Sequence, residues 1–115
     1  MDIRQRLLDH ALSYPEAWED HPWGESVAKV RKKVFVFLGA ATERVGCTVK
    51  LPESGAFVLN EDFAEPAGYG LGKSGWVSLA WEVDEADIPV DLLLELIDES
   101  YRAVAPKALV RQLDA

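Results

Sequence analysis

Apolar residues recur along this chain with two different periods, and the switches between them mark the expected elements. Near the start, Ile3, Leu7, Leu8, Ala11 and Leu12 keep the spacing of an amphipathic helix, with Asp2 placed to cap it and Pro15 soon after its end. An aromatic loop follows over Pro15–Glu25, where Pro22 and Gly24 fit poorly inside a regular element and put Trp23 in a turn. From Val27 the period falls to two. Ala28 and Val30 alternate with Lys29 and Arg31, Val34–Leu38 is a short apolar run, and Val45, Cys47 and Val49 alternate with Thr48 and Lys50. Lys32 and Lys33 are expected to join the first two runs, and Gly39–Arg44 the second pair. Links this short require antiparallel neighbours, because parallel strands need a crossover of about a dozen residues or more.

After Pro52 the pattern weakens. Glu53–Leu59 reads as a short helix, Asn60–Pro66 as an acidic loop and Ala67–Gly75 as a glycine-rich turn region. Trp76–Trp81 is a strand again, with Trp76, Ser78 and Ala80 on one face and Val77, Leu79 and Trp81 on the other. An acidic linker, Glu82–Asp87, leads to a long helix starting near Pro89, whose stripe is Leu92, Leu93, Leu96, Ile97, Ser100, Tyr101 and Val104. Pro106 ends it, and Leu109, Val110 and Leu113 allow a short terminal helix. The fold class that results is α+β, a single domain over residues 1–115. Its antiparallel β-sheet is a meander of three strands plus one or two later strands, packed by an N-terminal helix and C-terminal helices.

Length and composition narrow this picture. A chain of 115 residues supports one core of moderate size. No apolar run approaches the roughly 20 residues of a membrane helix, and the first residues lack an apolar signal core. The single cysteine, Cys47, excludes an internal disulfide and fits a cytoplasmic protein. The expected state is a monomer or weak dimer, with no membrane partner.

Most candidate chemistry fails on context. Ala67–Ser74 satisfies a relaxed phosphate-loop pattern ending Gly-Lys-Ser, but that mechanism needs a buried strand entering the loop and a helix leaving it. Here an acidic, proline-containing segment enters and a strand leaves. His10, His21 and Cys47 show no paired metal-ligand spacing, and Cys47 shares an apolar face. Ser74 and Ser78 have no neighbouring His, and the carboxylates fall on a linker and a helix surface. No catalytic residue, metal or cofactor is assigned, and a non-enzymatic role is expected.

Charge is where the chain departs from the ordinary. Its net charge is −8, yet residues 27–50 hold Lys29, Arg31, Lys32, Lys33, Arg44 and Lys50 against Glu43 alone. A basic hairpin can lie along a nucleic-acid backbone, with Trp76 stacking on an unpaired base. Equally, lysines on a sheet face and its edges keep it soluble. Residues 51–100, with twelve acids against Lys73, would cancel much of the field if they surround this island.

The run Glu19-Asp20-His21-Pro22-Trp23-Gly24, followed by Lys29-Val30 and Lys33-Val34-Phe35, looks like the opening signature of the MmcQ/YjbR family. Cys47-Thr48-Val49-Lys50-Leu51-Pro52-Glu53 is similar to its strand-to-helix junction. Leu71-Gly72-Lys73 with Trp76-Val77 resembles a further segment, with Gly72 where the family usually has Asn. Leu96-Ile97-Asp98-Glu99-Ser100-Tyr101 matches its C-terminal helix motif. The resemblance implies a small, bacterial-type α+β domain, sometimes described as a double wing and usually labelled DNA-binding. It also implies that Lys29, Lys33, Lys50, Lys73 and Trp76 lie on the working surface. Joined to the charge pattern, the candidate set is Lys29, Arg31, Lys32, Lys33, Lys50, Lys73 and Trp76, facing DNA or RNA. The alternative is a module that binds a protein or small molecule through its sheet face or its aromatics.

Overall fold

The computed structural model describes residues 2–39, 44–82 and 87–115. The stretches 40–43 and 83–86, read from sequence as parts of a connection and an acidic linker, lie outside the described residues. Helix α1 (Ile3–Leu12) begins where the Asp2 carboxylate accepts the Arg4 amide at 2.9 Å, the cap expected for that residue. Strands β1 (Ala17–Asp20), β2 (Ser26–Val30), β3 (Lys33–Gly39) and β4 (Arg44–Lys50) follow. A short helix α2 (Gly55–Val58), strand β5 (Ala64–Pro66) and strand β6 (Trp76–Glu82) lead to α3 (Val90–Val104) and α4 (Lys107–Leu113).

The strands form one six-stranded antiparallel sheet in the order β1-β2-β3-β4-β6-β5. The fold is therefore α+β, with the expected meander in its middle and both later strands beyond it. Two edge strands depart from the sequence reading. Ala17–Asp20 pairs with β2 and Ala64–Pro66 with β6, where loops were expected. Both are short and neither alternates apolar with polar residues, because an edge strand is held by backbone pairing on one side and buries little.

Helices α1 and α3 pack on one face of the sheet. There Leu7, Ala11, Leu93, Leu96, Ile97 and Tyr101 meet Ala28, Val30, Phe35, Val36, Val49, Val77 and Leu79, all buried. The alternation expected in β4 and β6 holds: Val45, Cys47 and Val49 with Val77, Leu79 and Trp81 are buried. The opposite face carries Thr48, Lys50, Trp76 and Ser78, whose positions are only half-buried.

Strand β3 does not run evenly between its neighbours. Its register with β2 shifts twice, and among the described residues its Cα pairing with β4 is confined to Val36↔Val49 and Phe37↔Thr48. Ser100 of α3 bridges the gap. Its fully buried hydroxyl donates to the Phe35 carbonyl and accepts the Lys50 amide at 2.8 Å. Two backbone groups that a regular ladder would have paired are thus satisfied from a helix.

The side chains on either side of Ser100 are also tied to distant segments. Asp98 accepts the Tyr14 hydroxyl at 2.8 Å and pairs with Arg102. Glu99 accepts the Glu53 and Ser54 amides at 2.9 and 3.0 Å, closing the start of α2. Tyr101, fully buried, donates to the Pro15 carbonyl at 2.7 Å and stacks on Tyr14 at 4.5 Å. The motif Asp98–Tyr101 therefore ties α3 to four other segments of the chain.

Candidate nucleic-acid interface

Antiparallel pairing sends β3 out from the same end of the sheet where β4 finishes and β6 begins. Lys33 opens β3, Lys50 closes β4 and Trp76 opens β6, so three residues far apart in sequence share one end. Lys50 and Trp76 are direct cross-strand partners. The C-terminal turn of α3 closes the space behind them, leaving a cavity of about 310 Å³ lined by Lys33, Val34, Lys50, Trp76, Ala103 and Val104. Two neighbouring turns add charge at the same end: Arg31 and Lys32 between β2 and β3, and Lys73 in the 3-10 turn Leu71–Ser74 before β6.

The half-buried Trp76 ring is braced by Phe37, edge to face at 5.5 Å. The Lys50 backbone is fixed by Ser100. The lysines also lie beside the C-terminus of α3, whose unpaired carbonyls favour cations.

The candidate cations divide into two groups. Lys29 donates to Asp20 at 2.7 Å and stands 5.2 Å over the Trp18 ring. That hydrogen bond holds the Asp20 carboxyl below its ordinary pKa. Arg31 grips Glu16 at 3.1 Å and lowers that carboxyl in the same way, while its own carbonyl accepts the Trp18 indole N–H. By contrast, Lys32, Lys33, Lys50 and Lys73 form no ion pair among the described residues. Arg44, the remaining cation of the basic stretch, lies at the other end of β4 and meets Glu82 at 3.6 Å.

Sequence reasoning missed Ser100, Ala103 and Val104 as parts of this site. A serine inside an otherwise apolar stripe was the available signal, since a buried hydroxyl must find partners. The walls from Ala103 and Val104 had none, because they depend on where the helix ends against the sheet.

A second cleft, of about 380 Å³, lies beneath the glycine-rich loop. Gly46, Thr48, Ser78 and Ala80 line it with Gly68 and Tyr69. The Thr48 and Ser78 hydroxyls bond to each other at 2.8 Å. The loop enters from an edge strand and leaves through a 3-10 turn into β6, so it lacks the strand-to-helix frame that cradles phosphate. Among the described residues no cluster of His, Cys, Asp or Glu is arranged to hold a metal. No helix among them is long and apolar enough to cross a membrane.

A family model described as YjbR matches residues 12–103. Among solved structures, the chain is similar to the crystal structure of the Deinococcus radiodurans protein DR2400, described by the domain DUF419. The identity is 25%, the TM-score 0.73, and the match covers 96% of this chain and 86% of that one. No curated protein matches.

Proposed function

The chain belongs to the YjbR family, and from that premise we propose that it binds nucleic acid through Lys32, Lys33, Lys50 and Lys73 at one end of its sheet. The observation that carries this reading is the meeting of Lys33, Lys50 and Trp76 around one cavity, with neither ammonium group paired to a carboxylate among the described residues of a chain of net charge −8. Lysines kept only for solubility would be expected to scatter or to pair, as Lys29 and Arg31 do. Lys29 and Arg31 take a secondary part, because each would have to leave a carboxylate to reach a phosphate.

Salt dependence is the direct test. Four phosphate contacts give a log–log slope of about −3.6 on duplex DNA and about −2.8 on a single strand. Either would appear as a loss of roughly fifty-fold or more between about 50 and 200 mM salt in fluorescence anisotropy. Lys33→Glu with Lys50→Glu should abolish binding, whereas Lys29→Gln should leave most of it. A flat salt response would remove the proposal.

One observation favours a second reading. The cleft under the glycine-rich loop is of a size that holds small ligands, and Tyr69 is fully exposed at its rim with a left-handed φ of 57°. Binding there would be insensitive to salt and lost in Tyr69→Ala, the reverse of the lysine pattern.

A further inference from the structure

Resting on the nucleic-acid reading above, we infer that the ligand is a single strand or an unpaired end, with one base seated on Trp76 and its flanking phosphates on Lys33 and Lys50. Three features separate this from duplex binding. The first is size. A cavity of about 310 Å³ lies at the small end of ligand sites and admits one ring system, not a stacked helix.

The second is rigidity. Trp76 is half-buried, fixed across from Lys50 in the strand register and braced by Phe37, so its ring is already placed to receive a base. A stacking platform of this kind is tolerant of sequence, because every base has a π-face.

The third is the layout of charge. A duplex presents one phosphate charge per about 1.7 Å of axis and favours a basic stripe tracking its backbone. Here the lysines without an ion pair among the described residues occupy one end of the sheet. Ala103, a wall of the cavity, is also a wall of the next surface hollow, where Glu53, Glu95 and Glu99 stand with Asp98 and its ion-pair partner Arg102, a net acidic lining. A second strand carried past this end would meet those carboxylates, while a single strand can turn away from them.

The test uses the intact protein at low salt with three labelled probes: a short oligothymidine, the same strand with an abasic position in every site, and a blunt duplex of equal length. The single strand should bind at least about tenfold more tightly than the duplex. Removing the bases, or making Trp76→Ala, should weaken single-strand binding by about fivefold or more, the range of one lost base–aromatic stack. Trp76→Phe should retain most of the affinity. The abasic probe leaves the protein unchanged, so the result stands even where Trp76→Ala fails to fold. Equal binding of strand and duplex, with no loss on the abasic probe, would overturn the stacking inference yet leave the lysine reading in place. Absence of binding to all three probes would remove the nucleic-acid reading itself, and this inference with it.

Discussion

Ser100 shows how much of this fold can rest on a single hydroxyl. Replacing it with Ala would leave the buried Phe35 carbonyl and the part-buried Lys50 amide without their shared partner. Each orphaned group costs about 1–3 kcal/mol, so Ser100→Ala should lower unfolding stability by about 2–4 kcal/mol in a urea titration. A loss under about 1 kcal/mol would mean that β3 and β4 can close their own ladder. Cys47 offers a second test at this scale. Burial pushes its thiol up to about 12, against about 8.5 for an exposed thiol. The folded state thus keeps the proton that the unfolded chain releases. The stabilising contribution is intact below about pH 8.5 and is lost as the pH climbs toward the folded value. Between pH 8 and 10 the protein should therefore lose about 2 kcal/mol more stability than its Cys47→Val variant. Matching pH profiles for the two proteins would show that the thiol is open to solvent.

At the scale of elements, what could be read from sequence depended on burial. Strands β2, β3, β4 and β6 and helices α1 and α3 each bury one face, and the periodicity of that face announced them. The edge strands β1 and β5 bury little, and their pairing partners lie elsewhere in the chain, so Ala17–Asp20 and Ala64–Pro66 carried no local signal. The candidate site divides on the same principle. Its charges were visible as a basic run, but Lys33, Lys50 and Trp76 come together only through the order and direction of three strands. Close approach between strands was equally hidden. A Cβ on Gly46 would collide with the Leu79 carbonyl oxygen of β6, so β4 and β6 approach as they do because that side chain is absent. Gly46→Ala should destabilise by about 2–3 kcal/mol, measured by thermal or chemical unfolding. Helix α2 makes a contrasting case. It is four residues long and depends on Glu99 for its first turn. Glu99→Ala should raise amide exchange across residues 53–59 while the central strands stay protected. Uniform acceleration over the whole sheet would instead make Glu99 part of the global core.

For the whole molecule the governing quantity is the field at the basic end of the sheet. The chain measures 38 × 29 × 27 Å, so no surface point lies many Debye lengths from the acidic half when the ionic strength is low. Glu53 and Glu95 line the hollow that shares the Ala103 wall with the lysine cavity, and their side chains make no hydrogen bond or ion pair among the described residues. They can therefore be neutralised without breaking a contact. A unit charge about 10 Å away through water is worth about 0.4 kcal/mol, which is about twofold in affinity. Glu53→Gln and Glu95→Gln should each strengthen oligonucleotide binding by about that factor at low salt, and together by about fourfold. The gain should fade near physiological ionic strength, where the Debye length falls to about 8 Å. Glu25→Gln, a lining residue of the cleft under the glycine-rich loop that stands just before β2 at the opposite end of that strand from Arg31 and Lys32, is the control and should change little. A larger effect from Glu25 than from Glu53 would place the ligand at that cleft. The reverse order would tie binding to the end where Lys33, Lys50 and Trp76 meet.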